Sequence, residues 1–266
     1  MHIQSTDQLG NEIEIEFPPR RIISLVPSQT ELLFDIGLDE EIAGLTRFCI
    51  HPARKVMAKT KIGGTKKFDF EKIKLLQPGL IIGNKEENYR EGVEELSKHF
   101  PVWMSDIFTL NDAFAMMHEL GRITDRENQA QKLAAEIQYA FNGLHSLSAV
   151  QDIKKSCAYF IWRKPYMVAA GNTFIDEMLK VIGLTNVFSP QNRYPEIRPE
   201  TLGSLRPDII FLSSEPYSFS GKHMDEFQSF AHDAKVVLVD GEMFSWYGSR
   251  LRYAPAYFSE LLKAII

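Results

Sequence analysis

The chain contains itself twice, and that repeat limits its folds more than any other feature. Glu71-x-Ile73-x-x-Leu76-x-Pro78-x-Leu80-Ile81-Ile82 is answered, at identical spacing, by Glu200-x-Leu202-x-x-Leu205-x-Pro207-x-Ile209-Ile210-Phe211. Earlier in each half, Leu32-Leu33-x-x-Ile36-Gly37-Leu38 is matched by Met178-Leu179-x-x-Ile182-Gly183-Leu184. Later, Pro101-Val102-Trp103-Met104 corresponds to Val236-Val237-Leu238-Val239. Three matched segments in one order predict two related units, each carrying a helix, a proline and a buried strand.

The rest of the pattern agrees. Ile13, Ile15 and Phe17 alternate after a Gly10-Asn11 turn, as a hairpin requires. A buried strand at 22–26 is broken by Pro27. Ser28 with Glu31 reads as a capping box opening a helix that stops at Gly37. Further strands are expected near 42–45, 79–83, 101–104, 156–161, 186–188, 207–212 and 235–239. Helices are expected near 70–76, 89–98, 110–121, 174–182, 199–205 and 249–265. Such alternation implies parallel sheets covered on both faces.

One segment departs from the alternation. Thr124 with Glu127 reads as a second capping box, and from there to Val150 there is no proline. Ala130, Leu133, Ile137, Ala140, Phe141 and Leu144 fall at helical spacing. A helix of roughly 20–25 residues would be about 30–38 Å long, which suits a strut joining two lobes. The fold class expected is therefore α/β, with two parallel-sheet lobes joined by one long α-helix. The boundaries expected are an N-terminal lobe over 1–122, a connecting helix over 123–150 and a C-terminal lobe over 151–266.

Several function classes fall away. A net charge of −5 argues against a nucleic-acid partner. No stretch approaches the roughly 18–20 apolar residues of a membrane span. Met1-His2-Ile3-Gln4 has neither the basic nor the apolar region of a signal peptide, which leaves a cytoplasmic location open. The two cysteines, Cys49 and Cys157, are far apart and imply no disulfide framework. Gly63-Gly64-Thr65-Lys66-Lys67 lacks the spacing of a phosphate loop, and no nucleophile elbow, HExxH or dinucleotide fingerprint is present. No enzyme is expected. Cys49-x-His51 offers two ligands to a soft or borderline metal, a weak signal by itself.

Ligands of open parallel sheets meet the loops at the carboxyl ends of strands. Here those loops are aromatic and cationic. Trp162 and Arg163 follow one expected strand; Phe244, Trp246, Tyr247 and Arg250 follow another; Tyr194 lies on a third loop. In the first half the corresponding loops hold Phe48, and Asn84 with Lys85. Aromatic planes with a few cations suit a large, flat or partly anionic ligand. Glu71 and Glu200 follow a different logic. Each precedes a core position by two residues in the first turn of its helix, so it is rotated about 200° from the buried face. Their repetition suggests docking points for a symmetric, basic partner.

The run Arg21-Ile22-Ile23-Ser24-Leu25-Val26-Pro27-Ser28-Gln29-Thr30-Glu31, the two Glu…Pro repeats and the proline-free central helix resemble the solute-binding proteins of ABC importers with a helical backbone. Within that group the likeness is to periplasmic cobalamin-binding proteins, with siderophore and haem binders as cousins. The resemblance covers residue 20 to the C-terminus. It implies a periplasmic or cell-envelope monomer that holds a metal-chelate nutrient, a corrinoid for preference, in an interlobe cleft. It needs no resident cofactor, since the chelate is the bound ligand. The resemblance also implies delivery to a permease dimer, with Glu71 and Glu200 as the docking carboxylates. It maps Phe48, Tyr194 and the Phe244–Tyr247 loop onto the ligand pocket. Thr65 and Asn84 stand where the cobalamin binders carry tryptophan. A ferric-siderophore or haem binder of the same fold is one alternative. A cytoplasmic cofactor-binding or cofactor-processing protein working through Cys49 and His51 is another.

Overall fold

Both copies of the repeat build the same strand–helix unit in the computed structural model, which describes residues 1–145 and 154–265. In the first half, β3 (Ile22–Ser24) is the central strand. It pairs in parallel with β4 (Ile42–Leu45) on one side and β8 (Leu80–Asn84) on the other; β5 (Thr60–Lys61) and β9 (Val102–Ser105) extend the sheet to five strands. Leu80, Ile81 and Ile82 are fully buried, the continuous apolar run of a strand covered on both faces. In the second half, β10 (Ser156–Trp162) takes the place of β3. It pairs in parallel with β12 (Thr185–Asn186) and β13 (Ile209–Ser213), and β13 pairs in parallel with β14 (Lys235–Val239). The outer strands differ: β11 (Met167–Ala169) runs antiparallel to β10, whereas β5 pairs in parallel with β4.

The repeat extends to the backbone of the helix ends. α1 (Pro27–Asp35) and α7 (Phe174–Val181) both finish on a glycine in the left-handed region, Gly37 at φ 95° and Gly183 at φ 78°. Leu38 N–H donates to Leu33 O and Leu184 N–H to Leu179 O, the six-to-one bonds of a Schellman ending. α3 (Phe70–Leu76) and α8 (Glu200–Leu205) end instead on Gln77 at φ 45° and Arg206 at φ 46°, each directly before the repeated proline. The Pro78 and Pro207 rings cannot continue a helix, so both chains turn at once into a buried strand.

Two expected caps are corrected. α1 begins at Pro27, with Val26 as N-cap and no side-chain cap bond. Proline at the first helical position has no N–H to satisfy and its φ is already helical. Ser28 and Glu31 are thus inside the helix and buried. Thr124 does not open the long helix either. Its hydroxyl donates back to Leu120 O at 2.6 Å, while Asp125 adopts φ 59° and Arg126 N–H reaches Gly121 O at 2.7 Å. That is the Schellman ending of α5 (Leu110–Ile123).

α6 then runs over Glu127–His145, 19 residues and about 28 Å. Ala130, Leu133, Ala134, Ile137, Phe141 and Leu144 form its buried stripe. The expected continuation to 150 lies outside the described residues. The chain divides into two compact units. Met1–Ile107 with Asn111–Ile137 and Tyr247–Arg250 make the first; Phe108–Leu110 with Gln138–Trp246 and Leu251–Ile266 make the second. The division falls within α6.

Local edges are also resolved. β1 (His2–Thr6) and β2 (Glu12–Glu16) form the expected hairpin, with Ile13 and Ile15 inward. Its turn is tied to β9, because Gln8 N–H donates to Met104 O and the Asp7 carboxylate accepts from Met104 N–H. The expected helix at 249–265 is two elements, a 3-10 turn over Ser249–Arg252 and α11 (Ala254–Ile265), with Pro255 in its first turn. α2 (Ala53–Met57), α4 (Arg90–Ser97), α9 (Met224–Phe230), α10 (Glu242–Ser245) and the small hairpin β6 (Gly63–Gly64) with β7 (Lys67–Phe68) complete the description.

Candidate functional site

In the first unit the carboxyl ends of the strands carry a loop with an alternating pattern. After β4, Thr46 and Cys49 are buried, whereas Phe48 is 47% and Ile50 49% exposed. The Arg47 guanidinium sits 5.0 Å above the Phe48 ring. Arg47 N–H donates to Gly63 O, so the β6–β7 hairpin braces this loop. A side chain at Gly64 would come within 3.1 Å of the Phe48 ring, so the hairpin and that ring are in close approach.

The Cys49 sulfur lies 3.0 Å from the Thr30 hydroxyl and 3.3 Å from that of Thr46, and burial pushes its thiol up. It is a packed thiol rather than an available thiolate. No group of three or more His, Cys, Asp or Glu able to hold a metal occurs among the described residues. Cys49 and His51 are therefore joined by no further ligand.

After β8 the structure differs from expectation. Asn84 is 1% exposed. Its amide donates to the Ser105 hydroxyl at 2.9 Å, and its carbonyl oxygen accepts from Glu86 and Glu87 N–H. All of this amide is occupied in shaping the turn. Lys85 pairs with Asp106 at 2.6 Å. Tyr247 and Arg250 belong to this same unit. Arg250 forms a fork on Glu31, Nε to Oε2 at 2.8 Å and Nη2 to Oε1 at 2.6 Å, and the Tyr247 hydroxyl donates to Glu87 at 3.4 Å.

In the second unit Trp162 ends β10 at the carboxyl edge of the sheet, is 38% exposed and donates from Nε1 to Lys164 O. Tyr217 meets it edge-on at 5.7 Å. Arg163 is held by Glu226, 2.7 Å from Nη2 to Oε2, and the Tyr166 hydroxyl bonds the same carboxylate. Tyr194 is half-buried, next to Arg193, whose guanidinium lies 4.5 Å over the Phe108 ring.

Two residues of the 244–247 loop are buried where exposed aromatics were expected. Phe244 is wholly buried, 5.0 Å from Tyr159 and 4.8 Å from Phe258. Trp246 is 7% exposed and donates from Nε1 to Glu215 at 2.9 Å; the Ser245 hydroxyl donates to the same oxygen at 2.7 Å.

Burial raises the Glu215 carboxyl above its ordinary value. The folded chain thus keeps this proton to higher pH than the unfolded chain does. The stability Glu215 contributes is present at acid pH and is lost as pH rises from the ordinary carboxylate range through the folded value. Glu215→Gln keeps an oxygen for Ser245 and Trp246 without a charge to bury. Its melting temperature should gain on the parent protein as pH rises from about 4 to 8. A difference that stays constant over that range contradicts the assignment.

Glu71 and Glu200 are both exposed, each in the first turn of its helix. The Glu71 side chain is 83% exposed and lies 3.4 Å from Lys74 Nζ. Ile50 and Tyr217 are functional candidates that sequence reasoning did not single out. Ile50 has no pattern to announce it, whereas Tyr217 follows the expected strand at 207–212 and could have been found as an aromatic at a strand end.

A family profile described as periplasmic binding protein matches residues 22–233. The chain belongs to the periplasmic binding protein family. Among its relatives is a vitamin B12-binding protein of Vibrio campbellii, 27% identical over 77% of this chain and 74% of that protein. Among solved structures, the periplasmic vitamin B12-binding protein of Vibrio cholerae superposes with a TM-score of 0.82 at 21% identity, covering 94% of this chain and 99% of its own. A periplasmic haem-binding protein of Pseudomonas aeruginosa gives 0.79 at 18% identity, covering 92% of each chain. The solved structures establish the α/β fold, and the family match carries the general solute-binding role.

Proposed function

We propose that this periplasmic binding protein captures a metal-chelate nutrient (a corrinoid, a haem or a ferric siderophore) and delivers it to the permease dimer of an ABC importer at the cell envelope. The observation that carries this reading is the exposure of Phe48 and Trp162 at carboxyl-end loops, where Phe244, Trp246 and Tyr247 are all buried. Water-exposed aromatic faces on braced loops are ready-made platforms for a large planar or ring-shaped ligand. Tyr194 and Ile50 add to those platforms. Glu71 and Glu200, charged and exposed at equivalent helix starts, serve as the contacts to the permease.

Titration with cyanocobalamin, hemin and a ferric siderophore tests the capture. One of them should bind one-to-one with micromolar or tighter affinity, about −8 kcal/mol. Trp103 and Trp246 are buried, so Trp162 is the tryptophan whose fluorescence a ligand should quench. Trp162→Ala should weaken binding by about 1–3 kcal/mol with an unchanged melting temperature. If no ligand in this set shifts fluorescence or melting at large excess, the capture reading fails.

A further inference from the structure

Seven of the chain's 30 lysines and arginines fall between Glu41 and Asp69, a stretch with no aspartate or glutamate, in a protein of net charge −5. Part of this charge is neutralised locally. Lys55 and Lys59 pair with Asp39 at 3.2 and 3.0 Å, and Lys61 donates to Val56 O. The rest is not. Arg47, Arg54 and Lys67 are exposed and meet no carboxylate among the described residues, and the Lys66 ammonium meets only the Glu86 carbonyl oxygen. Arg47 belongs to the β4 loop and Lys66 and Lys67 to the hairpin hydrogen-bonded to it, so three uncompensated cations share one surface with exposed Phe48 and Ile50. In the neighbouring β8 loop Lys85 and Asp106 neutralise each other, and the Glu86 and Glu87 carboxylates form no ion pair with Arg47, Lys66 or Lys67 among the described residues.

We infer that the captured chelate is anionic at its periphery, bearing carboxylate or catecholate oxygens, and that Arg47, Lys66 and Lys67 are the groups that select it over a chelate of no net charge. The inference rests on the capture reading and names the ligand class for it. A guanidinium lying over an aromatic ring keeps its N–H edge free. It can therefore donate a pair of parallel bonds to a carboxylate while the ring carries the apolar part of the ligand. The flanking ammonium groups add unspecific attraction that salt screens.

The test compares three probes on the whole protein: hemin, a ferric tris-catecholate, and cyanocobalamin, which has no net charge. Hemin or the tris-catecholate should bind more tightly than cyanocobalamin. Its affinity should fall about tenfold between about 50 and 500 mM NaCl. Arg47→Gln with Lys67→Gln should weaken it by a similar factor without moving the melting temperature. Tighter binding of cyanocobalamin than of both anionic probes overturns the inference and leaves capture standing. Anion affinities indifferent to salt overturn it as well, whatever the double variant does to folding. Failure of all three probes to bind removes the capture reading and this inference with it.

Discussion

Reversal of Glu71 and Glu200 together to lysine is expected to abolish import while ligand affinity stays that of the parent protein. Neither carboxylate packs against anything that the fold needs. Among the described residues Glu71 is bound only by a long contact to Lys74 one turn away, and Glu200 is exposed at the start of a six-residue helix. The cost to stability is that of a cation at two helix N-termini, about 0.3–1 kcal/mol each. At an interface with basic permease residues the same change turns two attractions into two repulsions. Single reversals should leave partial transport, because each unit keeps its own contact. Uptake into vesicles holding the importer, measured beside ligand affinity for the same variants, decides the matter. Normal uptake by the double variant would remove both residues from the docking surface.

A second large effect is expected at a mostly buried ion pair. Arg250→Ala should destabilise the protein by about 3–5 kcal/mol, because it strands the Glu31 carboxylate without its counter-charge. The side chains of Arg250 and Glu31 are only 13% and 10% exposed, so water cannot take over. Arg250→Lys should recover little, since an ammonium cannot reproduce the two-pronged contact. Glu31→Gln combined with Arg250→Met should cost less than Arg250→Ala alone, because nothing charged is then left buried. Urea unfolding of the four proteins checks this order. Equal stability of Arg250→Ala and the parent would show that the fork contributes nothing.

The fold was legible where its cause is local. Proline after a left-handed residue, glycine after a helix and an unbroken run of Leu and Ile each force a backbone outcome within a few residues. That is why the repeated strands and helix ends at Gly37, Gly183, Pro78 and Pro207 could be placed from sequence. The caps failed for an equally local reason: Pro27 took the first helical position, so Ser28 had no N-cap role left.

The site was harder to read because exposure is decided by distant partners. Trp162 and Trp246 both sit in aromatic loops after strands. Trp246 is drawn inward by Glu215, 31 residues earlier in the chain, while Trp162 finds only Lys164 O and the edge of Tyr217. Asn84 looked like a ligand-facing amide, yet the hydroxyl that occupies it comes from Ser105. No periodicity within either loop distinguishes these outcomes.

Glu31 and Arg250, the two ends of one buried ion pair, are separated by 219 positions. A ribosome adding roughly 5–20 residues per second needs about 10–45 s to travel that distance. Throughout that interval the first helix of the nascent chain carries a carboxylate that cannot be buried at low cost. The N-terminal unit therefore cannot lock as soon as its own strands have emerged, and its locking waits on a segment made 219 residues later.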